Sequence, residues 1–172
     1  MIADLLDFAL ARVGRGIGIT RRQVDLHLVI ERSVKELRVA FPQAKLIHKQ
    51  EGAGMAEVDA DRMHQIIGNL VANSVAYGDP GHPITVTSTV QGETAMLSVH
   101  NEGTAIPESS LGNLFEPMTR VSELDTDLRS VGLGLFIVRE IARAHGGDVA
   151  VSSTNETGTS FCVSFTRTGT AG

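Results

Sequence analysis

The sequence predicts an α/β chain: a two-layer α+β sandwich, with a mixed β-sheet covered on one face by about three helices. Three observations carry this expectation. Helical apolar stripes recur at 26–41, 61–77 and 133–145. Two pairs of segments, 83–90 with 95–101 and 148–154 with 159–165, alternate apolar and polar residues around short turns, as β-hairpins do. Helices and strands also interleave along the chain, so helices must lie against a sheet rather than in a separate bundle.

Residues 1–13 place Ile2, Leu5, Leu6, Ala9 and Val13 on a helical stripe with no cap before it. The glycine-rich, charged stretch 14–23 reads as a linker or a segment at the domain edge. Asp25 is a suitable N-cap for a helix with Val29, Ile30, Val34, Leu37 and Phe41 on one face, and Pro42 stops it. Strands are expected near 45–49 and 55–58, joined by a turn at EGAG. The helix from about Asp61 to Tyr77 has Met63, Ile66, Ile67, Leu70, Val71 and Ser74 on its apolar side. A loop with a short helix fills 103–130, and Gly146 and Gly147 end the last helix. A main domain over 24–168 and a tail over 169–172 complete the division.

Composition limits the function. With 172 residues, 42% of them hydrophobic, one domain with a full core is expected, with room for part of a second. The net charge of −5 gives no basic surface for nucleic acid. The single cysteine, Cys162, excludes an internal disulfide and lies in an alternating strand, where a buried structural thiol is expected. No apolar run is long enough to span a membrane. No signal-peptide pattern is present, so a cytoplasmic setting is expected.

Two stretches carry chemistry. In SVGLGLFIVREI, Gly132 and Gly134 precede a helix. A helix start offers unpaired N–H groups and partial positive charge, and glycine there lets an anion approach; a plain glycine-rich turn is the alternative. On the 61–77 helix, Gln65, Asn69, Asn73 and Tyr77 recur every fourth residue and form one row beside the apolar stripe. That row is either a partly solvated polar edge or a ligand-facing surface. In the second case an amide oxygen suits a hard cation such as Mg²⁺ without repelling phosphate.

The stretch Asn69–Tyr77, NLVANSVAY, resembles the N box of histidine protein kinases. VHNEGTAIP from Val99 to Pro107 resembles their first glycine box, and LFEPM from Leu114 to Met118 their F box. VGLGLFIVREI resembles their second glycine box, and TGTSF their final glycine-threonine element. Five motifs fall in the family's order over about 150 residues, which is a specific signal where each alone is weak. MIADLLDF resembles the end of the second helix of the dimerisation and phosphotransfer hairpin, and the HNEG variant resembles kinases of bacterial phytochrome-type sensors.

The resemblance implies the Bergerat ATP-binding fold and the catalytic domain of a two-component sensor histidine kinase, with ATP and Mg²⁺ as ligands. It implies that Asn73 coordinates Mg²⁺ and that Asn69 supports the phosphate side, these two being the catalytic pair. Tyr77, Asn101, Gly103, Ile106, Phe115 and Thr159 would line the nucleotide, with Asn101 facing the adenine amino group. Gly132 and Gly134 would open the backbone around the phosphates, and Leu133 and Leu135 would anchor helix and lid. Arg129 would reach the phosphates from a lid at roughly 119–131. The implied partners are a histidine phosphotransfer hairpin, in cis or in trans, and a response regulator receiver domain, with dimerisation where the whole hairpin is present.

The sequence departs from the family at four points. Asn101 replaces an aspartate, so Asn101→Asp is expected to keep or improve ATP binding. Ala105 replaces a glycine, and Ala76 stands where a basic residue is common. None of the six histidines is followed by an acidic residue as the family's acceptor is, so the acceptor is expected outside this chain. His64 and His145 are expected on helix surfaces, and His100 at the pocket rim. Asn69 stands where related hydrolases have glutamate, and an amide cannot take water's proton, so intrinsic hydrolysis is expected to be slow. A non-catalytic nucleotide module and an anti-sigma-type serine kinase are the alternatives.

Overall fold

The computed structural model describes residues 2–118 and 132–168. In order, the elements are α1 (Ile2–Arg12), β1 (Arg22–Asp25), α2 (Leu26–Ala40), β2 (Leu46–Gly52), β3 (Met55–Val58), α3 (Ala60–Tyr77), β4 (Ile84–Gln91), β5 (Thr94–Asn101), α4 (Glu108–Leu111), α5 (Gly134–Ala144), β6 (Asp148–Thr154) and β7 (Gly158–Thr166). The main sheet has the order β2-β4-β5-β7-β6. Among the described residues only the β2–β4 pair is parallel, so the sheet is mixed.

The strands alternate as their sequences require. Ile84, Val86, Leu97, Val99, Phe161 and Val163 point to a buried face, while Thr85, Thr87, Ser98, Ser160 and Ser164 point away from it. The helices cover that single buried face: α2 through Ile30 and Val34, α3 through Ile66, Ile67 and Leu70, α5 through Ile137 and Ile141, all fully buried. The expected two-layer sandwich is therefore the observed one.

Both expected hairpins form in register, β4 with β5 and β6 with β7. Asp25 caps α2 by accepting from the Leu28 N–H, and Asp59 caps α3 through the N–H groups of Asp61 and Arg62. The EGAG turn does not join a hairpin. β2 runs parallel to β4, and β3 instead pairs with β1. Arg22 and Gln23, at the end of the stretch expected to be a linker, thus form the first half of β1.

The face of α1 also differs from expectation. Leu5, Leu6 and Val13 are 50%, 60% and 70% exposed. The face turned inward carries Phe8, edge-on to Phe136 at 5.6 Å, and the buried Asp7. Arg62 binds Asp7 through both terminal nitrogens, at 2.6 and 3.2 Å, so the charge on the inward face has its partner. A polar clamp therefore decides which side of this helix is inside, against its hydrophobic pattern.

Among the described residues no helix is long and apolar enough to cross a membrane. Cys162 is half-buried on the face away from the helices, across from Ser98 and Ala150, and burial pushes its thiol pKa up.

Candidate functional site

The polar row of α3 is divided between two destinations. Gln65 is absorbed by α1: its nitrogen donates to Asp4 at 2.8 Å and Asp7 at 3.1 Å, and its oxygen accepts from Arg62 at 2.7 Å. The row's first member therefore belongs to a helix–helix clamp and not to a ligand-facing surface.

One turn on, Asn69 meets α5. Gly134 is the first residue of that helix, and a Cβ built there would lie 3.5 Å from Asn69 Oδ1. The Asn69 Nδ2 is buried with no hydrogen-bond partner among the described residues. A buried amide donor without a partner loses the free energy of a hydrogen bond, and such groups call for an explanation. Asn73 is half-buried a further turn along the helix, and Tyr77 follows at its end. The row thus runs from the start of α5 to a cleft of about 530 Å³ lined by Tyr77, Gly78, Asp79, Pro80, Gly103, Thr104 and Asn155.

Asn101 closes β5 behind this cleft and is 7% exposed. Its Nδ2 donates to the Glu102 carbonyl at 3.1 Å, which fixes the amide orientation and leaves Oδ1 as the end available to a ligand. A carboxylate has no hydrogen to give that carbonyl, so Asn101→Asp exchanges a hydrogen bond for a repulsive contact.

Three glycines permit the close packing here. A Cβ at Gly78 would lie 2.5 Å from the Ser74 carbonyl oxygen. Gly103 has φ +142, and a Cβ there would be 3.1 Å from the Asp79 nitrogen. Gly158, φ +73, passes so close to the end of β5 that a Cβ would come 2.3 Å from the Asn101 carbonyl oxygen. The next residue, Thr159, is buried directly across from Asn101. Its hydroxyl is 2.6 Å from Ser153 Oγ, which also accepts from the Ile106 N–H.

Ser153 and Asn155 were not among the sequence candidates. Asn155 Oδ1 accepts from the Ala105 N–H at 2.9 Å, so the two side chains hold the loop after β5 against the β6–β7 turn. The asparagine of NETG was the available signal, since such residues bond neighbouring backbone. At the cleft mouth, the Gly81 N–H and then His82 hold the Asp79 carboxyl below its usual range. His100 donates to the Thr157 carbonyl and is not among the cleft residues.

Leu133 is buried, and Leu135, Ile106 and Phe115 are half-buried against the core. Phe115 lies edge-on to Phe161 at 6.2 Å. Gly132, φ +69, accepts from the Met118 N–H at 2.9 Å, so the chain leaves and returns at neighbouring points. Arg129 and the expected lid at 119–131 lie outside the described residues.

His145 corrects a surface expectation. It is 1% exposed, donates from Nδ1 to the Ile141 carbonyl and accepts the Asp59 N–H at Nε2. The helical pattern misplaced it because it stands past the last turn of α5, folded back under the start of α3.

The family model of histidine kinase-, DNA gyrase B- and HSP90-like ATPases matches residues 58–169. The chain belongs to that family. A bacteriophytochrome of Pseudomonas aeruginosa is 36% identical over 166 residues, covering 95% of this chain and 22% of the relative. Sensor protein VanSC of Enterococcus gallinarum is 32% identical over 137 residues, covering 77% of this chain and 37% of the relative. The chain therefore spans well under half the length of these relatives. The Acinetobacter baumannii histidine kinase AdeS superposes with a TM-score of 0.77 at 22% identity, over 96% of this chain and 76% of that one. Full-length ShkA, solved in complex with AMPPNP, superposes at 0.79 and 23% identity, over 99% of this chain and 36% of that one. These structures share the fold. The domain is thus of the ATP-binding catalytic type found in sensor histidine kinases, as its motifs implied.

Proposed function

We propose that this domain binds ATP with Mg²⁺ along the α3 row and donates the γ-phosphoryl group to a histidine on a phosphotransfer hairpin, carried by a longer chain or by a partner. The observation that carries this reading is the Asn69 side chain, whose Oδ1 faces the open backbone of Gly134 and whose buried Nδ2 has no hydrogen-bond partner among the described residues. Packing alone gives no reason to place an amide donor there, whereas a phosphate oxygen would satisfy it.

Asn73 is the residue to hold the cation, through a neutral oxygen that leaves Mg²⁺ its waters and phosphate ligands. When bound, the ion neutralises charge on the phosphates and fixes their orientation. Asn69 and the N–H groups at the start of α5 bind the phosphate side, since a helix N-terminus suits an anion. Asn101 Oδ1 accepts from the adenine amino group, with Thr159 beside it and Tyr77 at the edge of the base site. Gly103 lets the chain pass the base, Ile106 and Phe115 supply apolar lining, and Leu133 and Leu135 fix α5. Arg129 is the proposed phosphate contact from the 119–131 segment.

Asn69 cannot act as a base toward water, so the phosphoryl group is reserved for an incoming imidazole. The remaining partner is a response regulator receiver domain, and the setting is the cytoplasm. The test mixes this chain with labelled ATP, Mg²⁺ and an acceptor hairpin. Label on the hairpin histidine, absent with Asn73→Ala, is the expected result. ATP binding with no transfer to any supplied hairpin would make the domain a nucleotide-binding module instead.

A further inference from the structure

The loop after β5 is tied down at two places, one at each end. At its start, the Glu102 carbonyl accepts from the Asp79 N–H at 2.7 Å and from Asn101 Nδ2 at 3.1 Å. At its far end, the Ala105 N–H donates to Asn155 Oδ1 and the Ile106 N–H to Ser153 Oγ, both at 2.9 Å. Gly103 and Thr104 stand between the two ties, and both line the cleft. Among the described residues neither is held by a hydrogen bond of its own. Gly103 has φ +142, a conformation with no side chain to stabilise it.

The far tie comes from the other hairpin. Thr159 lies across from Asn101 in the β5–β7 register, and Ser153 lies across from Thr159 in the β6–β7 register. The three side chains therefore form one row across one face of the sheet. Thr159 Oγ1 is 2.6 Å from Ser153 Oγ. Whichever hydroxyl donates there, Ser153 keeps a lone pair for the Ile106 N–H. A backbone N–H can only donate, so Asn155 must offer its oxygen to Ala105. Asn155 is exposed in the turn between β6 and β7, and that turn has its own bonds: the Thr157 N–H donates to Thr154 Oγ1, and the two hydroxyls lie 2.7 Å apart.

We infer that Ser153 and Asn155 are positioning residues for the nucleotide base: from the β6–β7 hairpin they hold Gly103 and Thr104 in the one arrangement that receives it. The inference rests on the reading of the cleft as the nucleotide site. Without the far tie, the loop keeps only its Glu102 anchor, and the binding arrangement becomes one of several. A ligand that needs one arrangement binds more weakly by the fraction of time the loop spends in it. The phosphate side is built on α3 and the start of α5, elements that neither residue touches. Loss of the tie therefore weakens substrate and transition state equally, which raises KM and leaves kcat unchanged.

The experiment measures MgATP binding to the full chain by calorimetry, with urea midpoints and amide hydrogen exchange on the same samples. Asn155→Ala should weaken binding about tenfold, as it would if the loop held the binding arrangement a tenth of the time. It should also speed exchange at the Ala105 amide and leave the urea midpoint unchanged. Asn155→Asp keeps an acceptor for that amide and should bind as the parent does. Ser153→Ala should weaken binding too and speed exchange at Ile106. With a supplied acceptor hairpin, both alanine variants should raise KM for ATP at constant kcat. Parent affinity in Asn155→Ala, an equal loss in Asn155→Asp, or a fall in kcat at constant KM overturns the inference and leaves the nucleotide site standing. A parent chain that does not bind MgATP overturns the site and the inference together. If Ser153→Ala does not fold, the exposed Asn155 pair decides alone.

Discussion

The two halves of α3 carry the same kind of row and treat it differently. In the first half, Arg62 and Gln65 are saturated by Asp4 and Asp7 of α1. In the second half, Asn69 has a buried donor with no partner among the described residues, and the row opens on the cleft at Tyr77. Polar residues at one spacing on one helix therefore serve structure where another helix supplies partners, and remain available where it does not. The difference lies in what stands opposite, not in the row itself.

The strongest way to break this comparison is to exchange the effects of its halves. Asn73→Ala should lower phosphotransfer to a supplied hairpin by about 100-fold, the loss typical of removing one group that stabilises transferring charge. Its unfolding midpoint should stay near that of the parent. Gln65→Ala, two turns earlier, should leave transfer within about threefold. Equal losses from the two substitutions would mean that the row acts as a unit and that the division is wrong.

Arg62→Ala attacks the structural half. It leaves the Asp7 carboxylate, 7% exposed at its side chain, without its cation. Stripping one partner from a buried ion pair costs about 3–5 kcal/mol, and the partial exposure of Arg62 reduces that to roughly 2 kcal/mol here. Urea denaturation should show the loss, while ATP affinity by calorimetry should hold. Asp7→Asn should be milder, because an amide oxygen still accepts from Arg62.

Gly134→Ala probes the open half from the other side. The added methyl meets Asn69 Oδ1 at 3.5 Å, an ordinary contact, so folding is unaffected or gains up to about 1 kcal/mol from helix propensity. The methyl nevertheless occupies the approach that the glycine leaves open. ATP affinity should fall about tenfold, equivalent to 1.4 kcal/mol. Unchanged affinity with raised stability would remove this position from the phosphate site.

The sequence made some of this legible and not the rest, for physical reasons. Period and caps gave α2, α3 and both hairpins, because Asp25, the Ile66–Leu70 stripe and the NETG turn are local signals. The partner of β2 was not legible, since a parallel pairing with β4 closes across the whole of α3 and leaves no turn between the strands. The buried side of α1 was hidden too. Its hydrophobic pattern favours Leu5 and Leu6, and the distant Arg62 and Gln65 make it favourable to bury Asp7. Glycine marks close approach at Gly103 and Gly158 but not at Gly68 or Gly112, so the motif around a glycine, and not the glycine itself, was the legible signal. Ser153 and Asn155 escaped because hydroxyls and amides in turns are common. The orientation of Asn101 depends on one carbonyl whose direction no pattern encodes.

The smallest effect expected concerns His145, which joins α5 to the start of α3. Burial is the main cause that holds its pKa below the ordinary histidine value of 6.5, with Arg21 and Arg62 adding to it. The neutral ring uses both nitrogens, accepting the Asp59 N–H and donating to the Ile141 carbonyl, so a proton at Nε2 would break the contact with Asp59. The folded state therefore resists a proton that the unfolded chain takes up near pH 6.5. Stability from this group is complete above that value and is lost as pH falls from there toward the folded pKa. His145→Gln should be less stable at pH 7.5 and show a shallower loss of stability between pH 7 and pH 5.5. Urea midpoints at four pH values for both proteins measure it. Parallel pH profiles would place the domain's acid sensitivity elsewhere and leave His145 as packing alone.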